Sequence, residues 1–286
     1  MAEQDWLAER FEEQRGHLFQ VAYRMLGSLT EADDAVQDAW LRASRAGADG
    51  VENLGGWLTT IVARVCLNVL RARRTRPEEP LDVSVPDPVV SVERDPEQAA
   101  LLGDAVGLAL LVVLETLSPA ERVAFVLHDM FAVPFPEIAQ MLETTPAAAR
   151  QLASRARRRV RGAARSEGKL EAQREVVDAF FTAARGGDFE ALLTVLDPDV
   201  VLRADGRISQ FVRGASAVAG TALQFANPAA LLHPVVVNGG AGVFVTVDGR
   251  PFALMAFTVR GGCIAEIDAI TDRERVASLA AGVLPT

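Results

Sequence analysis

The chain of 286 residues contains two cysteines, one tyrosine, three histidines and a single lysine, Lys169, against 28 arginines. Cys66 and Cys263 are isolated and show no CxxC spacing, which argues against a disulfide framework or a zinc scaffold and fits a reducing compartment. No apolar run approaches the roughly 20 residues a membrane helix needs, and no signal or arginine-rich leader segment is legible. The expectation is a soluble cytoplasmic protein with no membrane partner, no metal, no cofactor and no catalytic set. What the chain has is apolar mass and arginine. Half of it is hydrophobic, ample for cores, and its length suits two domains or three small ones. The net charge of −9 is unevenly spread. Arg71, Arg73, Arg74 and Arg76 form one basic knot; a second lies between Thr144 and Ser166, with seven arginines and no acid; residues 78–104 hold eight acids against Arg94 alone. Fields are screened within about 10 Å, so these local patches matter more to binding than the sum.

The sequence FPEIAQMLETTPAAARQLASRARRRVR, residues 135–161, carries the sharpest pattern. Ile138, Ala139 and Leu142 give a first short helix an apolar face, and Glu143 and Thr144 fill a turn. Thr145 is a good N-cap, and Pro146 suits the first helical position, where its missing N–H is no loss. In the second helix Ala149, Leu152, Ala153, Ala156 and Val160 recur at helical spacing. The other side presents Thr145, Ala148, Gln151, Ser154, Arg155 and Arg158 to a DNA major groove and its phosphates.

Along the chain, helices are expected over 5–26, 30–45 and 53–74, the second opened by a capping-box-like Thr30 and Asp33. Residues 75–96 hold five prolines and many acids and read as a linker. Helices near 97–116, 119–130, 135–142 and 146–165 follow. Past Gly168 a helix over 170–184 and a short one over 188–193 lead into β-type runs at 200–204, 232–238, 242–248, 252–260 and 263–271. Turn residues Gly239-Gly240, Asp248-Gly249 and Gly261-Gly262 separate the last four, as in an antiparallel meander. Helices followed by a curved sheet make an α+β domain.

Together these residues resemble an extracytoplasmic-function (ECF) sigma factor with a SnoaL-like C-terminal extension, over essentially the whole chain. EADDAVQDAWLRA, residues 31–43, is similar to the part that docks on the polymerase clamp; GGWLTTIVARVCLNVLRARR, residues 55–74, to the part that melts and captures the −10 element; residues 122–157 to the reader of the −35 element. The resemblance implies a multi-domain fold: a three-helix region 2 over 1–76, a linker over 77–96, a helix-turn-helix region 4 over 97–168, and a SnoaL-like, nuclear-transport-factor-2-like cone over 169–286. It implies RNA polymerase core (clamp and flap) and promoter DNA as partners, with −10 contacts from Asn53, Arg64, Asn68, Arg71, Arg73 and Arg74, and a base-accepting loop near 46–53. Asp34, Gln37, Asp38 and Leu41, at i, i+3, i+4 and i+7, give the clamp an acidic, amphipathic face.

The best-known subgroup carries a tryptophan-leucine-proline motif in the linker and an aspartate-glycine-lysine motif in the extension. This chain has RPEEPLDVSVPDP at 76–88 and ADGRIS at 204–209 instead. Catalytic relatives of the cone use Asp and His; here His233 is the domain's only histidine, and Asp205, Asp248 and Asp268 show no dyad spacing, so the cone is read as regulatory, with room for an unidentified small ligand. Two other readings stand beside this one: a ligand-sensing helix-turn-helix regulator that binds DNA without polymerase, and a polyketide-cyclase-like enzyme with an appended DNA module. Residues 1–76 discriminate against the first, because a stand-alone regulator needs no clamp-docking helix.

Overall fold

The computed structural model describes residues 2–75, 85–91, 108–160, 168–281 and 283–284. Three amphipathic helices come first: α1 (Ala2–Leu26), α2 (Leu29–Ala46) and α3 (Leu54–Thr75). Small residues on α2, Ala32, Ala35, Ala39 and Ala43, are buried where it packs on α1 and α3, as are Leu18, Val21 and Met25 of α1 and Leu58 and Val62 of α3. Cys66 lies in the same core, where burial pushes its thiol up to about 12, so it behaves as a small hydrophobe. The start of α2 differs from expectation. Gly27 at φ 73° ends α1 in the left-handed region, which leaves Ser28 extended; its Oγ accepts from Glu31 N at 3.4 Å, and Thr30 falls inside the first turn.

Next come α4 (Leu108–Glu115), α5 (Pro119–Phe125), α6 (Phe135–Met141) and α7 (Pro146–Val160). The expected α-helix over 119–130 is α5 continued by a π-helical turn, Val126–Met130. That widened turn lets the chain reverse: Ala132, at φ 54°, donates to His128 O at 3.1 Å and Val133 to Leu127 O at 2.9 Å. Of the helix expected near 97–116, residues 97–107 lie outside the described ones, as do 161–165 of the last helix.

Residues Met1–Glu78 and Val113–Gly162 form one unit; Glu79–Val112 and Ala163–Thr286 form the other. Within the first, the two helical groups touch. Arg122 of α5, only 5% exposed, donates to Met25 O at 2.9 Å, and Arg73 of α3 donates to Leu26 O at 3.1 Å. These carbonyls end α1, where no helical N–H remains to satisfy them. Burial lowers Arg122 to about 10, opposed by Glu115 and reinforced by Arg73, so it stays cationic at neutral pH. Arg24 lies over the Phe131 ring at 4.8 Å.

The second unit is an α+β cone. Its helices are α8 (Leu170–Gly186), α9 (Phe189–Val195), α10 (Ala215–Phe225) and α11 (Arg273–Ala280). Its strands are β1 (Val90–Ser91), β2 (Leu196–Asp205), β3 (Gln210–Arg213), β4 (Leu231–Val237), β5 (Gly240–Val247), β6 (Arg250–Arg260) and β7 (Cys263–Ile270), in sheet order β1-β4-β5-β6-β7-β2-β3. β4 to β7 are the expected antiparallel meander, and β2 returns parallel to β7. Val177 and Phe180 of α8, Leu192 of α9 and Val218 of α10 pack on Leu202, Val243 and Phe257 of the sheet. β3, α10 and α11 were not legible in the sequence.

Nor was β1, which lies in the linker. Val90 and Ser91 pair with Val237 and Val236 of β4, adding the linker to the sheet as an edge strand. Asn238, at φ 46° in the turn after β4, donates through its backbone to Val89 O at 2.9 Å and accepts from Val89 N at 2.6 Å through Oδ1. At the other end of the segment Asp205 Oδ2 accepts from Val85 N at 3.1 Å, while Arg275 donates to Val85 O at 2.7 Å, to Asp87 at 2.8 Å and to Asp205 at 2.5 Å. Gly206 has to be glycine: at φ 82° a Cβ would stand 2.3 Å from Asp272 N.

Candidate nucleic-acid interface

The turn between α6 and α7 is closed by Thr144 N donating to Ala139 O at 2.9 Å, with Glu143 left-handed at φ 53°. Thr145 Oγ1 then accepts from Ala148 N at 3.2 Å and caps α7. Ala149, Ala153 and Ala156 are fully buried, and Leu152 and Val160 half-buried, so methyl-sized side chains seat α7 against α5 and α6. Thr145, Gln151, Ser154, Arg155 and Arg158 are exposed, and Ala148 is half-buried beside them.

The arginines of α7 divide by partner. Arg157 pairs with Asp129 at 2.6 Å, and Arg159 with Glu121 at 3.0 Å. Glu121 also closes a capping box with Ser118, so Arg159 ties the end of α7 to the start of α5. Arg150 lies 5.2 Å over the Phe135 ring. Arg155 and Arg158 have no ion pair among the described residues and project into solvent. An exposed guanidinium without a carboxylate partner is open to an outside anion.

On α3, Arg64, Asn68 and Arg71 are exposed at i, i+4 and i+7 and line one side. Asn53 sits at the head of the helix, where its Oδ1 accepts from Gly56 N at 3.0 Å, so it acts as the cap. Arg73 turns the other way, toward Leu26 O and an ion pair with Glu31. The side chain of Arg74 and all of Arg76 lie outside the described residues. On α2, Asp34 and Gln37 are exposed, Asp38 is half-buried and pairs with Arg42 at 2.8 Å, and Leu41 is 45% exposed. An exposed leucine among acids suits a protein surface better than a nucleic acid.

The cone holds a partly open cavity of about 140 Å³, walled mainly by apolar side chains such as Phe180, Leu202, Ala204, Val245, Ala253 and Met255. No carboxylate or imidazole is among the described residues that line it. The acids named from the sequence lie elsewhere. Asp205 binds the linker, Asp248 is a left-handed turn residue at φ 51°, and His233 Nε2 meets Thr246 Oγ1 at 2.9 Å. Asp268 and Glu266 sandwich Arg203, at 2.8 and 2.7 Å. Burial pushes Asp268 up to about 6, against the pull of Arg203. Among the described residues no His, Cys, Asp and Glu cluster could hold a metal ion, and no helix is long and apolar enough to cross a membrane.

Sequence reasoning missed Asn238, Arg275 and Arg122. The motif ADGRIS was the one signal: its Asp205 and Gly206 are the residue that grips the linker and the turn that allows it.

The sigma-70 region 2 family matches residues 11–76, and the family described as sigma-70, region 4 matches residues 107–160. The chain is 39% identical over 278 residues to the ECF RNA polymerase sigma factor SigJ of Mycobacterium tuberculosis (strain ATCC 25618 / H37Rv), covering 88% of this chain and 87% of that protein. It is 36% identical over 271 residues to the probable ECF RNA polymerase sigma factor SigI of the same species (strain CDC 1551 / Oshkosh), covering 93% of each. The crystal structure of the M. tuberculosis extracytoplasmic function sigma factor SigJ aligns with a TM-score of 0.73 at 35% identity, covering 98% of this chain and 100% of that one.

Proposed function

The chain belongs to the ECF sigma factors, subunits that direct bacterial RNA polymerase to promoters, and from that premise we propose that its C-terminal cone restrains initiation by gripping the linker between the two promoter-reading halves. Residues 1–76 serve as region 2: Asp34, Gln37, Asp38 and Leu41 dock on the polymerase clamp, while Arg64, Asn68, Arg71 and Arg74 meet DNA at the −10 element. Asn53 acts there through the cap it gives α3, and Arg73 becomes available to DNA only after leaving Leu26 and Glu31. Residues 97–168 serve as region 4, which docks at the flap and reads the −35 element with Thr145, Ala148, Gln151, Ser154, Arg155 and Arg158. Residues 77–96 link them, residues 169–286 regulate, and the protein works in the cytoplasm beside the polymerase. The cone's cavity is a site for a small molecule that biases this control, without turnover.

The observation that carries the proposal is the pair of restraints on one linker. The two promoter elements lie about 25 base pairs apart, or roughly 85 Å along the duplex. Helical groups joined by Arg122 on Met25 O at 2.9 Å cannot span that distance and have to separate. The 32 residues from 76 to 107 must then extend, and 85–91 are held on the cone by β1, Asn238, Asp205 and Arg275. A linker held as an edge strand favours the closed state, and polymerase binds the open one.

The test is run-off transcription by core polymerase on the chain's own promoter region. It compares the full chain, Arg275→Ala, which removes the Arg275 bonds to Val85 O and Asp87, and residues 1–169. Specific initiation that rises several-fold in both altered proteins is the expected result. Equal initiation by all three removes the restraint, and DNA binding by the free protein with no initiation by any of them restores the stand-alone regulator.

A further inference from the structure

Resting on the reading of the cone as a ligand site, we infer that its ligand is a small aromatic carboxylate with a single ring. Size comes first. A cavity of about 140 Å³ is below the usual span for drug-sized ligands and close to the roughly 150 Å³ that accommodates benzene. Its walls favour an arene: Phe180 and Phe181 meet edge to face with centroids 5.4 Å apart, and Phe252 and Met255 face the same space.

Charge comes second. The lining hydroxyls are already committed, Thr221 to Ala217 O at 3.0 Å and Thr271 to Asp205 O. Asn227 Oδ1 is taken by Ala229 N at 2.9 Å, which leaves its amide N–H₂ as a donor. Beside it Arg185 lines the cavity and donates to Ala230 O at 2.5 Å, fixing its guanidinium at the 227–230 turn. One guanidinium and an amide donor, with no carboxylate among the described lining residues, accept an anionic head and disfavour an amine.

The probes are benzoate and its uncharged isostere benzamide, titrated into the full chain by calorimetry and followed by ligand-observed NMR. Benzoate is expected to bind about tenfold more tightly than benzamide. Arg185→Gln should reduce that preference to less than twofold by weakening benzoate alone, and Ala222→Leu, which adds bulk from the half-buried side of α10, should abolish binding of both. Equal affinities for the two probes, or equal weakening of both by Arg185→Gln, would overturn the carboxylate assignment and leave the cavity reading standing. Binding that survives Ala222→Leu would overturn its location, and the absence of saturable binding by either probe would overturn the ligand site itself.

Discussion

Arg158 on α7 and Arg203 in the cone are the same side chain in opposite surroundings. Arg158 is exposed, with no carboxylate partner among the described residues, whereas Arg203 is 14% exposed and bridges Glu266 and Asp268. A desolvated guanidinium has to be paired, and its partners fix the register of β2 against β7; an exposed one stays available to an outside anion. Arginine density in the sequence therefore marks α7 as basic but does not tell a phosphate contact from a strut. Arg157 and Arg159, neighbours of Arg158, are struts.

The comparison breaks hardest at Arg203. Arg203→Leu leaves Glu266 and Asp268 buried without a counter-charge and should cost the cone about 3–5 kcal/mol. Denaturant-dependent hydrogen exchange in β6 and β7 measures it, and a loss below 1 kcal/mol would mean that water reaches the pair. Next in size is pH. Asp268 titrates near 6 in the folded chain against 3.8 for the free group, so the folded state holds the proton more tightly. Its contribution is fully present below pH 4 and is lost as pH rises through 6, about 3 kcal/mol over two pKa units. In Asp268→Asn that decline between pH 4 and 6 should flatten, read from the same amides; an unchanged slope would assign it to other groups.

Arg155→Ala with Arg158→Ala tests the other side of the contrast. Stability should stay within about 0.5 kcal/mol of the parent. Affinity of the polymerase complex for promoter DNA should fall by about 1–3 kcal/mol, and the slope of log K against log salt by nearly 2, as expected when two phosphate contacts disappear. A stability loss with an unchanged salt slope would make these arginines struts like Arg157.

What the sequence discloses follows the range of the forces involved. The periodicity of α1 to α3, the Thr145-Pro146 start of α7 and the glycine turns of the β4–β7 meander are local and were legible. β1 was not, because Val90 and Ser91 pair with Val237 and Val236, which are remote in the sequence. α10 has Gly214 at its N-cap with no side-chain cap bond, and its sequence ASAVAGTALQF mixes glycine with β-branched residues, so no start signal marks it. In the promoter-reading region the candidate residues could be named from helical spacing on α2 and α7 and from the family resemblance on α3. That Arg73 turns to Glu31 and Asn53 caps α3 depends on which chain segments stand opposite.

Thr145 offers the smallest effect and the finest cut, because it lies in the proposed −35 surface and also caps α7. Thr145→Ala should cost about 1 kcal/mol by releasing Ala148 N, and would weaken DNA binding whichever role matters. Thr145→Asp separates the two roles. Aspartate caps at least as well and favours the positive helix N-terminus, so stability should hold or rise slightly, while its charge repels a phosphate nearby. Promoter affinity that falls in Thr145→Asp with thermal stability intact places the helix start against the DNA backbone. Affinity that follows stability across both variants would make Thr145 a cap alone and move the contact surface down α7, toward Gln151 and Arg155.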